Sequence, residues 1–128
     1  MQLEEKKAVS LRIFIGESDR FGHHPLFESI VLKAREQGLA GATVLRGPMG
    51  FGHSSRLHTT TILRLSEDLP VVVEIIDSEQ KITAFLPLLD EMVKGVLVSL
   101  QEVRILRYGS DRNEIGAPSS TVAGEGLP

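Results

Sequence analysis

The sequence predicts an α+β domain of the ferredoxin-like kind, a β-α-β-β-α-β sandwich with a four-stranded antiparallel sheet and both helices on one face. Val9, Leu11, Ile13 and Ile15 alternate with Ser10, Arg12, Phe14 and Gly16, the period of a strand with one buried face. Two stretches, Leu26 to Ala34 and Ile82 to Val93, carry apolar residues at helical spacing, and each leads to a glycine. Between them, Val71 to Ile76 is apolar nearly throughout, as a central strand is.

The elements follow in chain order. After the first strand, Glu17 to His24 is a polar loop. Pro25 suits the first position of a helix, where a missing N–H costs little. Leu26, Phe27, Ile30, Val31 and Ala34 form the buried stripe of that helix, and Gly38 stops it. Ala42 to Leu45 read as the second strand. Residues 57–66 stay open between two conformations: Thr59, Thr60 and Thr61 favour extended chain, whereas Leu57, Thr61 and Arg64 can line a helical turn. Pro70 begins the third strand. Asp77 or Ser78 caps the second helix, whose stripe is Ile82, Phe85, Leu86, Leu89, Met92 and Val93. Pro87 removes one hydrogen bond from this helix and is expected to bend it near Thr83. Gly95 ends it. Val96, Val98 and Leu100, then Val103 and Ile105, make the last strand, or a strand broken near Gln101.

The chain has 128 residues, enough for one domain with a real core. The expected division is an N-terminal extension over 1–8, the folded domain over 9–108 and a flexible tail over 109–128. The tail holds little aliphatic material, too little to offset the entropy of ordering it. A net charge of −3 argues against nonspecific nucleic-acid binding, which needs basic surface. The absence of cysteine excludes disulfides, thiol catalysis and zinc–thiolate sites, and it suits a cytoplasmic protein. The N-terminus lacks an apolar signal core. No apolar run approaches the roughly 18 residues of a membrane helix, so no direct membrane insertion is expected.

Strand order points to a site. The first and second strands run the same way, so the loop after Gly16 and the segment after Arg46 lie at one end of the sheet. That segment, Gly47-Pro48-Met49-Gly50-Phe51-Gly52-His53, is rich in glycine, which permits positive φ and close approach of backbone to a ligand. Glu17, Ser18, Asp19, Arg46, His53, Arg56 and His58 are expected to converge there. The sheet face without helices carries Phe14 and the second side of Val71 to Ile76. Another copy of the chain is its expected cover, with sites at clefts between subunits.

The runs Leu11 to Glu17, Gly38 to Gly47, Gly50-Phe51-Gly52, Leu57-His58, Leu65-Ser66-Glu67-Asp68-Leu69-Pro70 and Val73 to Asp77 together resemble the uncharacterised PII-like family known as domain of unknown function 190. The resemblance covers about Leu11 to Ile105. It implies a homotrimer like the PII signalling proteins, which sense metabolites by binding adenine nucleotides between subunits. It also implies a regulatory T-loop over about Gly47 to Leu65. Some family members are fused to fluoride-channel-type membrane proteins, which makes a membrane transport or channel protein a candidate partner. The segment departs from PII proper in containing no tyrosine, hence no site for modification of one.

The residues allow several chemistries. An anion or nucleotide cradle would use backbone donors at Gly47, Gly50 and Gly52, charge from Arg46 and Arg56, a contact from His58, and Phe51, Glu17 and Ser18 as further lining. The plain alternative is a turn that needs glycine for geometry. The segment is not a Walker loop, since no Lys-Ser/Thr ends it. A metal-binding trimer resembling the divalent-cation tolerance proteins would use His53, His58 and Glu17 with a divalent metal. Against it stands the ordinary reading of loop histidines, His23 and His24 included, as solvated. A hydrolase with Ser54 or Ser55, His58 and Asp19 lacks a Gly-x-Ser-x-Gly elbow. Glu67-Asp68 and Asp90-Glu91 read as solvated faces, and Arg104 and Arg107 as surface charges or as reaching across a subunit boundary to phosphate. No catalytic residue and no resident metal are assigned, and a binding protein rather than an enzyme is expected.

Overall fold

The computed structural model describes residues 4–50, 58–59 and 68–106. Alternation in the first strand carries through to a long element, β1 (Lys6–Gly16). It begins three residues earlier than the expected Val9, because Lys6, Lys7 and Ala8 continue the ladder opposite Ile105, Arg104 and Val103. A small hairpin follows, β2 (Arg20–Phe21) with β3 (His24–Pro25), turning at Gly22 with φ 67°. Then come α1 (Leu26–Glu36), β4 (Ala42–Arg46), β5 (Met49–Gly50), β6 (His58–Thr59), β7 (Pro70–Asp77), α2 (Glu79–Met92) and β8 (Leu97–Ile105). The four long strands stand in the order β4-β7-β1-β8, every neighbouring pair antiparallel. This is the ferredoxin-like arrangement.

Local chemistry explains the element ends. Pro25 is the N-cap of α1 rather than its first residue, since it is still paired with Arg20. Gly38, at φ 80°, takes the left-handed conformation that stops the helix. Of the two candidate caps for α2, Ser78 is the one: its Oγ accepts from the Lys81 N–H at 3.2 Å. Asp77, wholly buried, instead anchors the turn after α1: its carboxylate accepts from the Ala40 N–H at 2.9 Å and the Ser78 N–H at 2.7 Å. Lys81 Nζ donates to the Gly38 carbonyl at 2.8 Å, fastening the same turn to α2. The helix runs through Pro87 without interruption.

The core lies between sheet and helices. Leu11, Ile13, Ile15, Val71, Val73 and Ile75 meet Ile30, Ala34, Ile82, Phe85 and Leu89. β8 is one unbroken strand. Its apolar residues change face near Gln101: Val98 and Leu100 lie opposite Ile13 and Leu11, whereas Val103 and Ile105 lie opposite Ala8 and Lys6. Nine consecutive pairs with β1 hold its inner edge without a gap, so the change of pattern brings no break.

The face without helices is organised in rows across the sheet, because directly paired residues share a face. Leu45, Val72, Phe14 and Leu97 form an apolar row through all four strands. Leu97, Leu45 and Phe14 are 65%, 52% and 37% exposed. The next row is Thr43, Glu74, Arg12 and Ser99. Here Arg12 Nε donates to Glu74 Oε2 at 2.9 Å, and Ser10 Oγ donates to the same oxygen at 3.0 Å.

The guanidinium hydrogen bond from Arg12 holds the Glu74 carboxyl below its ordinary 4.5, helped by Ser10 and opposed by partial burial. A lowered folded-state value stabilises the protein above the ordinary carboxylate range, and that contribution disappears as pH falls through the lowered value. Arg12 is half exposed, so the effect stays under about 1 kcal/mol. Urea midpoints measured from about pH 7 to about pH 3 are expected to fall less steeply for Glu74→Gln than for the native chain. Parallel curves would contradict this.

Candidate functional site

β1 and β4 run in the same direction on either side of β7, which carries their C-terminal ends to one edge of the domain. The start of β7 lies between them and joins them. The Glu17 N–H donates to the Leu69 carbonyl and the Gly47 N–H to the Pro70 carbonyl, both at 2.8 Å. Three segments thus meet at one rim: 16–19, 46–50 and 68–70.

The first segment is a tight turn. The Gly16 N–H donates to Asp19 Oδ2 at 3.0 Å, and the Asp19 N–H returns to the Gly16 carbonyl at 3.1 Å. Ser18 donates from its backbone at 3.0 Å and its hydroxyl at 2.7 Å to Asp68 Oδ1. Asp68, read from sequence as a solvated turn residue, is therefore the post to which this loop is tied. Its signal lay in the run Leu65 to Pro70, which is shared with the resembled family.

Arg46 ends β4 and points along the rim. Its Nε donates to Glu17 Oε2 at 3.1 Å, and the guanidinium carbon stands 5.6 Å from the centre of the Phe27 ring. Its side chain is nevertheless 54% exposed, and that of Glu17 33%. Among the described residues no other guanidinium nitrogen of Arg46 has a hydrogen-bond partner. The sequence singled out Arg46 and Glu17 but not Phe27, whose place in the helical stripe marked it only as core.

Gly47 and Gly50 do not take positive φ; among the described residues that conformation occurs at Gly22, Gly38 and Gly95. At Gly47 and Gly50 an added Cβ would crowd Pro70, whose Cγ would lie 3.1 Å and 3.0 Å away, so the ring would have to give by a few tenths of an ångström. The Gly47 N–H is used within the protomer. Gly50 pairs with His58, and Met49 with Thr59, in the antiparallel ladder of β5 and β6. This resolves part of the open stretch: His58 and Thr59 are extended. Phe51, Gly52, His53, Ser54, Ser55 and Arg56, the side chain of His58, Arg107, and the tail 109–128 lie outside the described residues. Among the described residues no three His, Asp or Glu side chains form a group able to hold a metal ion. No described helix is long and apolar enough to cross a membrane.

Gly16 provides a direct test of the rim. A Cβ there would overlap the Asp68 carboxylate. Gly16→Ala is expected to expel Asp68, costing about 1 kcal/mol through the weakened Ser18 contacts. In an Asp68→Ala background the same substitution should be nearly neutral, so urea denaturation of the four proteins should give a clear coupling energy. Additive losses would show that Asp68 does not fill this space.

A family model for DUF190, an uncharacterized ACR family, matches residues 8–105. A UPF0166 protein of Aquifex aeolicus is 38% identical over 109 residues, covering 83% of this chain and 98% of that protein. A UPF0166 protein of Methanocaldococcus jannaschii is 36% identical over 89 residues, covering 70% and 82%. Among solved structures, CPII, a nitrogen regulatory PII-like protein from Thiomonas intermedia bound to ADP, AMP and bicarbonate, superposes with a TM-score of 0.56 at 13% identity, over 81% of this chain and 92% of that one. A PII-like protein from Thermus thermophilus gives 0.55 at 20% identity, over 83% and 94%. These likenesses are of fold.

Proposed function

Because this chain belongs to the DUF190 family and has the fold of PII-like proteins, we propose that it is a ligand-sensing protein that binds a small anionic metabolite, an adenine nucleotide, at clefts between the subunits of a homotrimer. The observation that carries this reading is the exposed guanidinium of Arg46, held at a rim where loops distant in sequence are tied together. Arg46 supplies the positive charge. Ser18 and Glu17 line one side of the rim. Gly47 and Gly50 keep its wall at Pro70 clear of side chains. Phe51, Gly52, Arg56 and His58 complete the site from the segment beyond.

The trimer is supported by the apolar row Leu45, Val72, Phe14 and Leu97. These residues sit near the C-terminal end of β1, the end that carries the rim. A copy packed on them stands beside the site. Ligand binding then favours one arrangement of 47–65, and a partner, a membrane transport or channel protein, distinguishes that arrangement from the other. CPII, of like fold, is bound to ADP and AMP.

Isothermal titration with ATP, ADP and AMP, with and without magnesium, tests the reading. Saturable binding is expected, weakened about tenfold or more in Arg46→Gln by loss of a charge-assisted contact. No heat with any of the three, or binding indifferent to Arg46, would sink it.

A further inference from the structure

The rim contains its own anion. Glu17 follows β1 directly, and its backbone N–H is fixed to Leu69, so the carboxylate is carried on a short tether from a pinned main chain. It reaches Arg46 at 3.1 Å, on the Nε edge alone. Phe27 offers the same guanidinium a cation–π contact, 5.6 Å from carbon to ring centre, that does not depend on Glu17. Both partners of the pair remain open to solvent, 54% for Arg46 and 33% for Glu17. An exposed ion pair contributes little to folding. Its effect on an arriving anion is larger.

We propose that Glu17 is a built-in competitor for the ligand's anionic group at Arg46, and hence a residue that sets the affinity and selectivity of the site. This deepens the ligand-sensing reading and rests on it for the identity of the ligand, though not for the class, which is phosphate-like. A second negative charge about 6 Å away changes an equilibrium about threefold in water-like surroundings, and more as water is excluded. Glu17 therefore weakens the hold of a simple anion on Arg46 by charge alone. A ligand must add contacts elsewhere on the rim to bind. A purely positioning role for Glu17 makes the opposite prediction, since its loss would then loosen Arg46 and weaken binding. Phe27 argues against that role, because the guanidinium stays supported without Glu17.

The test is titration of ADP and of inorganic pyrophosphate into the native chain, Glu17→Gln, Glu17→Ala and the double variant Glu17→Gln/Arg46→Gln. Gln keeps an acceptor for Nε and removes only the charge. Tighter binding of either probe to Glu17→Gln, about threefold or more, with a steeper loss of affinity on added salt, is expected. The double variant should lose the gain. Unchanged or weaker binding to both Glu17→Gln and Glu17→Ala overturns the proposal while leaving the sensor reading intact if ADP still binds. Pyrophosphate binding improved by Glu17→Gln, with no nucleotide bound by any variant, supports the competitor and overturns the nucleotide. No binding of either probe to any variant overturns both.

Discussion

Asp77→Ala is expected to lower the stability of the fold by about 3 kcal/mol. The carboxylate is wholly buried at the end of β7 and accepts from two backbone N–H groups, at Ala40 and Ser78. Hydrogen bonds to a charged acceptor are individually worth about 1.5–3 kcal/mol, and both of these are part-buried. Alanine removes the acceptor and leaves a void beside the turn that joins α1 to β4. Asparagine retains one acceptor oxygen and should lose less, about 1 kcal/mol. Because β4 ends in Arg46, loosening its entry should weaken ligand binding as well, through placement rather than contact. Urea denaturation at fixed protein concentration measures the first effect and titration the second. A midpoint within error of the native chain for Asp77→Ala would show that the turn holds without this anchor.

Phe14→Asp should convert the proposed trimer to lone protomers. Phe14 lies inside the apolar row Leu45, Val72, Phe14 and Leu97, on the sheet face without helices. It is 37% exposed, so the protomer's own core does not depend on it. An unpaired carboxylate sealed into an apolar interface costs several kcal/mol per copy. Repeated around a ring, that is more than enough to abolish assembly at micromolar concentration, where each 1.4 kcal/mol is about a factor of ten. Sedimentation should shift to the protomer while circular dichroism stays native-like. If the clefts between subunits hold the ligand, nucleotide binding should disappear with the assembly. A native chain that itself sediments as a lone protomer would remove the basis of the proposed site.

Most of the architecture was legible because it rests on patterns that repeat along the chain. Alternation gave β1 its face, and helical spacing gave α1 and α2 theirs. Strand direction then puts Glu17 and Arg46 at one end of the sheet. The ambiguities were local contests between near-equal candidates. Either Asp77 or Ser78 has the chemistry of a cap, and only the position of the Ala40 N–H decides that Asp77 is occupied elsewhere. β8 reads as one strand or as a strand broken near Gln101, because its apolar residues change face, and its unbroken ladder with β1 decides for one strand.

The rim itself divides in the same way. Composition picked out Arg46 and the glycines, and strand direction added Glu17. What those residues touch was decided by folding. Asp68 looked like a surface acid until β7 brought it under Ser18. Phe27 looked like core until β4 laid Arg46 across its ring. Gly47 and Gly50 lie where Pro70, far along the sequence, leaves a Cβ little room. Periodicity is a property of the chain and survives in one dimension; contact between distant residues is a property of packing and exists only in three.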